Sequence, residues 1–331
     1  MPTAKRAHTI QMRNYGRPDV LTYADISLPP LEPNEVRIRT IAAAVNHTDL
    51  EIRAGNWPVT KAHPFPYVPG VEVIGDIEET GQSVSDIRPG DRVITMMQGL
   101  GGVRAERPGG YAEYVTVAAA AVAPVPSRID PYEMAAIGLV GVTAYEGLRR
   151  IGPLAGRRVL ITGAAGGIGS AATAIARAQN ASVIGLVSRP EQAHYVRSLG
   201  AEEAIVSPRG GLPSLQPESV DGVLDAVGGN VFGTCVEALR PTGVLSLVGA
   251  VAGGDVRFDA WQLTRSVTLT GYSTESLDGQ VLRNAVTALA DWLARGSIKP
   301  PARTTVPLAE APRAHDLLER GGVIGRVLLV P

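Results

Sequence analysis

At 331 residues, with 45% hydrophobic and 19% charged side chains, the chain holds enough apolar material for two cores and has an ordinary water-soluble balance. A formal net charge of −1 supplies no global field for nucleic acid or a membrane surface. The single cysteine, Cys235, excludes an intramolecular disulfide and any cysteine-rich zinc site, and suits a reducing compartment.

The opening MPTAKRAHTI lacks the apolar core of a signal peptide, and the Ala-rich run over 115–125 is too short to span a bilayer and stops at Pro124. A soluble, cytoplasmic protein is expected. Up to about residue 120 the chain reads as short β segments. In EVRIRTIAAAV (35–45) the residues Val36, Ile38 and Thr40 alternate onto one face. VEVIGDIEETG, DRVITMM and GGYAEYVTV (109–117) follow, each beside Gly or Pro punctuation, which suggests an irregular, largely antiparallel β domain.

From about Asp130 the rhythm changes. DPYEMAAIGLVGVTAYEGLRRIG predicts a helix opened by Asp130 as N-cap with Pro131 at the first helical position. Strand and helix then alternate: RVLIT, a Gly-rich turn and helix, ASVIGLV, the helix RPEQAHYVRSLG, EEAIV, VDGVLDAVGG, a helix over 232–239 and GVLSLVGA. Near-continuous apolar strands separated by helices mark a buried parallel sheet. Residues 210–217 read as a loop; VTLTGY, a helix over 278–295 and GRVLLV complete the chain. No repeat or low-complexity segment is present.

The stretch VLITGAAGGIGSAA (159–172) carries the chemistry. Strand residues run into glycines and then a small-residue helix, which brings backbone N–H groups up to a dinucleotide pyrophosphate. The same residues spell the TGxxxGxG turn of short-chain dehydrogenases. That family needs a Tyr-xxx-Lys pair, and no tyrosine here has a lysine four residues on: Tyr145 faces Arg149 and Tyr195 faces Leu199. About 160 residues also precede the turn, where a short-chain enzyme has almost none.

The chain as a whole resembles the zinc-independent quinone oxidoreductase branch of the medium-chain dehydrogenase/reductase superfamily. The matching segments run nearly end to end and in order: VNHTDLEIRAGNWP, PGVEVIGDIEETGQSV, RPGDRV, GGYAEYV, GVTAYEGL, AAGGIGSAA, LGAEEAI, VDGVLDAVGG and GRVLLVP. The resemblance implies an α/β fold with a GroES-like β-rich catalytic domain (1–124 and 266–331) and an inserted doubly wound parallel-sheet (Rossmann) coenzyme domain (125–265). Zinc relatives have a cysteine where Asn46 stands and a histidine where Val71 precedes Glu72. An amide and an isopropyl group cannot replace thiolate and imidazole, so a metal-free site is expected. His47, His63 and Glu72 are the residues from which a different metal site would have to be assembled.

The strand ASVIGLV ends in Ser188-Arg189 with no carboxylate for a ribose 2′-OH. A guanidinium and a hydroxyl suit a 2′-phosphate, which favours NADPH. Relatives often add a lysine and a tyrosine nearby; Gln192 and Ser207 stand there instead, leaving Arg189 most of the recognition. By resemblance, Gly166, Gly167, Ile168 and Gly169 line the pyrophosphate, and Thr143 lies near the nicotinamide end. Ala226 and Val227, with Gly249, Ala250 and Val251, flank the coenzyme; for the apolar ones, core packing is an equal reading.

Reduction of a conjugated C=C needs hydride at the β-carbon, a stabilised enolate oxygen and a proton for the α-carbon. Asn46 resembles the family's active-site asparagine, whose amide holds either the substrate carbonyl or the nicotinamide ribose; Asp49 braces its loop. Enoyl-reductase relatives often place a proton-delivering tyrosine where RAGNWP has Trp57, and indole N–H transfers no proton at neutral pH. Tyr67 is the alternative hydroxyl, with packing an equal reading; both rings also offer a flat acceptor a stacking surface. His47 either approaches the coenzyme phosphates or is a solvated loop residue, and Tyr272 borders the cleft. Three readings follow: an NADPH-dependent reductase of quinones or α,β-unsaturated carbonyls, a dedicated enoyl reductase on a thioester or biosynthetic intermediate, and a non-catalytic NADPH-binding or RNA-binding protein. The near-zero charge and the lack of a basic run argue against RNA. Relatives pair the last strands of their coenzyme sheets across a two-fold axis, so a homodimer joined at VTLTGY (267–272) is expected. The loop over 96–110, with Arg104, Glu106 and Arg107, either binds an anionic substrate or points into water.

Overall fold

The computed structural model describes residues 6–57, 65–97 and 107–331, in two compact units. The first comprises Met1–Leu139, Glu275–Asp291 and Ala302–Pro331, and the second Val140–Thr274 and Trp292–Pro301. His63 and residues 98–106, with Arg104 and Glu106, lie outside the described residues.

In chain order the first unit opens with β1 (Arg6–Gln11), β2 (Thr22–Ser27), β3 (Glu35–Val45), α1 (His47–Ala54), β4 (Glu72–Thr80), β5 (Arg92–Met96), β6 (Tyr114–Ala118) and β7 (Val122–Pro124). The long helix α2 (Pro131–Ile151) follows. Its N-terminus is capped as expected: Asp130 Oδ1 accepts the N–H groups of Tyr132 (2.8 Å) and Glu133 (3.0 Å). The second unit contains β8 (Arg158–Ile161), α3 (Gly167–Ala178), β9 (Ser182–Val187), α4 (Pro190–Ser198), β10 (Glu203–Val206), β11 (Val220–Asp225), α5 (Val231–Ala238), β12 (Leu239–Leu247) and β13 (Thr268–Gly271). The chain closes with α6 (Gly279–Ala294), β14 (Arg303–Pro307), α7 (Ala311–Arg320) and β15 (Arg326–Val330).

The first unit is built on a seven-stranded sheet in the order β14-β15-β3-β4-β5-β7, with β6 also on β3. β3 is its spine, pairing antiparallel with β4, β6 and β15. Ala42, Ala43, Ala44 and Val45 are buried, small enough to be covered on both faces of the sheet. Register then fixes the site. Val45 opposes Val327 and Ala42 opposes Ile74, so the residues just beyond, Asn46, Glu72 and Arg326, converge at one end of three adjacent strands. A chain-terminal strand is thereby hydrogen-bonded to a strand near the start, as the resemblance requires.

The second unit is a six-stranded parallel sheet ordered β10-β9-β8-β11-β12-β13. Strand order reverses direction between β8 and β11, and such a switch point opens a crevice at the strands' C-terminal ends. Leu160, Leu186, Val223, Phe232, Val236 and Leu245 fill the core on one face. β1, β2, β14, α1 and α7 have no counterpart in the periodicity reading. β2 alternates only between exposed and partly buried residues, and α7 buries just Ala311, Ala314 and His315 beneath a charged face, so neither carries much apolar signal. Among the described residues no helix is long and apolar enough to cross a membrane.

Candidate active site

In the second unit, β8 runs into the glycine turn. Gly163 takes a left-handed φ of 58° and its carbonyl accepts Gly166 N–H (2.9 Å), which folds the chain back into α3. A Cβ on Gly169 would stand 2.2 Å from Gly163 O and 2.6 Å from Ala164 Cα, so only hydrogen lets the first helical turn close on its own loop. The N–H groups of Gly167, Ile168 and Gly169 open the helix with no intrahelical carbonyl four residues back to accept them, the general arrangement in which helix N-termini attract anions. Gly166, Gly167, Ile168 and Gly169 are thereby brought together at the start of α3.

Asp225, fully buried at the end of β11, organises the opposite rim. Its Oδ1 accepts Thr162 Oγ1–H (2.6 Å) and the N–H groups of Val227 (2.9 Å) and Gly228 (3.1 Å), while Thr162 Oγ1 accepts Ala226 N–H (2.9 Å). Its other oxygen, also buried, has no partner among the described residues. Val227 O accepts Ala252 N–H (2.9 Å) and Gly253 O accepts Gly229 N–H (3.0 Å), so the loops after β11 and β12 are knitted together. Ala226, Val227, Gly249 and Ala250 share this rim, and Val251 stands 60% exposed beyond it. Thr143 is buried on α2.

At the end of β9, Gln192 Oε1 accepts Ser188 N–H (3.1 Å), Ser188 Oγ–H (3.2 Å) and Arg189 N–H (3.2 Å). The sequence reading treated Gln192 only as a missing lysine. Its position three residues after the N-cap, with Pro190 between, is the signal that would have found this role. Ser207 N–H donates to Val187 O (2.9 Å), which sets Ser207 beside Ser188. Arg189 is partly exposed and salt-bridged to Glu191 (2.9 Å).

In the first unit, Asn46 ends β3 and caps α1. Asp49, three residues on, accepts Asn46 N–H on Oδ2 (2.8 Å) and Val71 N–H on Oδ1 (3.0 Å). The Asn46 amide is held as firmly. Nδ2 donates to Ala44 O (3.1 Å) and Glu72 Oε2 (3.3 Å), and Oδ1 accepts from Arg326 Nη1 (2.9 Å). Arg326 has only donors, so the amide atom facing it is the oxygen. Arg326 Nη2 donates to Glu72 Oε2 (2.8 Å), and Glu72 Oε1 accepts Leu139 N–H (2.6 Å). That last bond needs Gly138, where a Cβ would lie 2.1 Å from the same carboxylate oxygen. Burial pushes Glu72 above the usual carboxylate range, and the Arg326 charge and three hydrogen bonds pull it back.

These contacts decide what the amide can still do. Both N–H groups are committed, and Oδ1 takes the Arg326 guanidinium and, through the capping box, the Asp49 N–H. The amide is therefore held at both ends by the protein itself, on the residue for which the sequence leaves open a substrate carbonyl or the nicotinamide ribose. They also bear on metal binding: Asn46 faces a guanidinium, Glu72 is filled by that guanidinium and a backbone N–H, and Val71 supplies no ligand atom. Asn46, Val71 and Glu72, so held, do not fit zinc.

Trp57 is half-buried just past α1. Tyr67 is buried, its backbone bridged to Met12, and burial together with the Asp49 charge pushes its hydroxyl well above the ordinary tyrosine range. His47 is exposed at the first turn of α1. Tyr272 lies under the Arg150 guanidinium, 5.2 Å from the ring centre. Arg107 reaches Glu35 (3.3 Å).

Residues 32–127 match the family described as alcohol dehydrogenase GroES-like domain, and residues 199–329 match that described as zinc-binding dehydrogenase. The quinone oxidoreductase of Pseudomonas aeruginosa is 32% identical over 98% of this chain and 100% of its own. The NADPH-dependent alkenal/one oxidoreductase of Arabidopsis thaliana is 30% identical over 96% of this chain and 78% of its own. The structure of Escherichia coli quinone oxidoreductase complexed with NADPH superposes with a TM-score of 0.85, at 26% identity over 98% of this chain and 100% of that one. With the two-unit α/β architecture, the glycine turn and the Asn46 site in place, the chain belongs to the quinone oxidoreductase branch of the medium-chain dehydrogenase/reductase superfamily.

Proposed function

We propose that this oxidoreductase is a zinc-independent, NADPH-dependent reductase of quinones or α,β-unsaturated carbonyls. The observation that carries the reading is the guanidinium of Arg326 bonded to both Asn46 Oδ1 and Glu72, an internal cation where zinc relatives need open ligand atoms. In this reading the parallel-sheet unit is the coenzyme domain and the β-rich unit the catalytic one.

The glycine turn fits a dinucleotide: open N–H groups, a backbone that no Cβ obstructs, and an orphaned Asp225 oxygen in the rim. Gly166, Gly167, Ile168 and Gly169 hold the pyrophosphate, Thr143, Ala226, Val227, Gly249, Ala250 and Val251 flank the rings, and Ser188 with Arg189 receives the 2′-phosphate. When bound, the coenzyme supplies the hydride. Asn46, fixed in place by Arg326, Glu72 and Asp49, orients the nicotinamide ribose or the substrate carbonyl. Trp57 provides a ring face for a planar acceptor. Tyr67, buried and difficult to ionise, is a packing residue, so the protons of the product come from water. A hydroquinone takes them directly on oxygen, which makes a quinone the easier substrate; the alkenal/one reductase among the relatives keeps the enone in view.

The same reading keeps the protein in the cytoplasm, where buried Cys235 stays a thiol. It forms a homodimer through β13, an edge strand of the parallel sheet. NADPH oxidation by EDTA-treated protein against a 1,4-quinone, an enone and an enoyl thioester tests the proposal. Turnover with the quinone or enone supports it. Activity with the thioester alone selects the dedicated enoyl reductase, and NADPH binding without turnover selects the non-catalytic reading. Gel filtration showing only monomer removes the dimer.

A further inference from the structure

Beneath Asn46 lies a buried hydrogen-bond chain across α1, the segment before β6, and α7. Tyr111 and His315 are both fully buried, and Asp49 with them. The Tyr111 hydroxyl bonds to Asp49 and stands 3.1 Å from His315 Nε2; His315 Nδ1 is 3.4 Å from Arg53 Nη1. Arg53 also donates to Gly16 O (3.0 Å) and is ion-paired with Glu319.

The polarity of this chain is determined from one end. Arg53 can only donate, so His315 Nδ1 accepts and its proton sits on Nε2. Burial and the Arg53 charge together lower the imidazole to about 3, so it stays neutral. Nε2–H then donates to the Tyr111 oxygen, and Tyr111 must give its own proton to Asp49. With the N–H groups of Asn46 and Val71, Asp49 faces only donors. A protonated Asp49 would have to donate to Tyr111, turn Tyr111 toward His315, and leave His315 Nδ1–H against Arg53 N–H. Arg53 therefore opposes the reversed chain and favours the ionised form of Asp49.

We propose that Arg53, His315 and Tyr111 are positioning residues for Asn46: they hold Asp49 as an acceptor, and Asp49 fixes the backbone from which the Asn46 amide projects. The proposal rests on the role given to Asn46 above. Working against the carboxylate are its burial and the neighbouring Glu72, which, against the three hydrogen bonds, bring Asp49 up to about 7. The other groups facing the chain are Tyr67 near Asp49, and Arg326 and Arg53 around Tyr111. Since Asp49 titrates near neutrality, its three donors decide whether it is ionised at working pH. Losing one moves its midpoint up by about one pH unit, roughly tenfold in proton affinity.

The test uses full-length protein carrying carboxyl-13C aspartate, with the Asp49 resonance assigned by its loss in Asp49→Asn. The midpoint is expected to rise by about one unit in Tyr111→Phe and His315→Phe. It should stay put in His315→Gln, whose amide can accept from Arg53 and donate to Tyr111. The acid limb of NADPH-dependent quinone reduction should move with the midpoint in each variant. An unmoved midpoint in folded Tyr111→Phe and His315→Phe overturns the proposal, as does a midpoint that moves while the acid limb does not. If Tyr111→Phe fails to fold, the contrast between His315→Gln and His315→Phe decides alone. Absence of turnover with every acceptor refutes the reductase reading and, with it, the role of Asn46; the resonance then still reports whether the chain sets Asp49.

Discussion

Replacing Arg326 by Met removes one partner of an ion pair whose side chains are 5% and 1% exposed. Glu72 loses the charge that offsets its burial, and Asn46 Oδ1 loses its charged donor. Breaking a buried pair from one side costs about 3–5 kcal/mol, because the remaining charge is stranded. For a unit of this size the cost lowers the melting temperature by roughly 6–20 °C. The deficit has a definite pH dependence. The folded-state pKa of Glu72, already raised by burial, rises further once Arg326 is gone. A carboxylate with a raised folded-state pKa favours the fold below its unfolded pKa and ceases to do so as pH rises through the folded value. The variant is therefore expected to be most impaired at pH 8 and to recover part of the loss toward pH 5. Adding Glu72→Gln should recover much of the loss at pH 8, since the neutral amide strands no charge and can still accept Leu139 N–H. Urea unfolding of the wild type, both single variants and the double variant at the two pH values measures this. A deficit under about 1 kcal/mol, of the size seen for exposed pairs, or one independent of pH would refute the buried-pair argument.

Gly138→Ala drives a methyl to within 2.1 Å of Glu72 Oε1 and should cost about 1–3 kcal/mol through the same cluster, read by thermal unfolding; a neutral effect would mean that α2 can shift away. Gly169→Ala meets backbone atoms at 2.2 and 2.6 Å, so NADPH affinity measured by fluorescence should fall at least about tenfold, equivalent to about 1.4 kcal/mol. Arg189→Ala should weaken NADPH by about tenfold or more and leave NADH unchanged, the loss expected for a charge-assisted bond to phosphate; equal weakening of both would remove Arg189 from 2′-phosphate recognition.

Much of this molecule was legible in its sequence because its signals are local. The apolar strands from 158 to 247 and the glycines that must lack a Cβ announce a parallel sheet with a tight glycine turn, and Asp130-Pro131 announces the start of α2. The amphipathic helix α7 went unread because few of its residues are apolar. The missing pieces of the site failed for a different reason. Gln192 reads as a departure from the family's lysine until its carbonyl is seen gathering the N–H groups of Ser188 and Arg189.

The amino-acid sequence by itself determined the fold class, the glycine turn and the absence of thiolate and imidazole at Asn46 and Val71. Each follows from residue type at a position, which no tertiary contact can alter. Only the tertiary structure decided what Asn46 can do. Arg326 lies 280 residues away, Glu72 26, and His315 262 residues from Arg53. Antiparallel pairing of β15 with β3 and the docking of α7 bring them together, and the direction of each hydrogen bond then follows from which groups can only donate. That direction leaves the amide with no free donor.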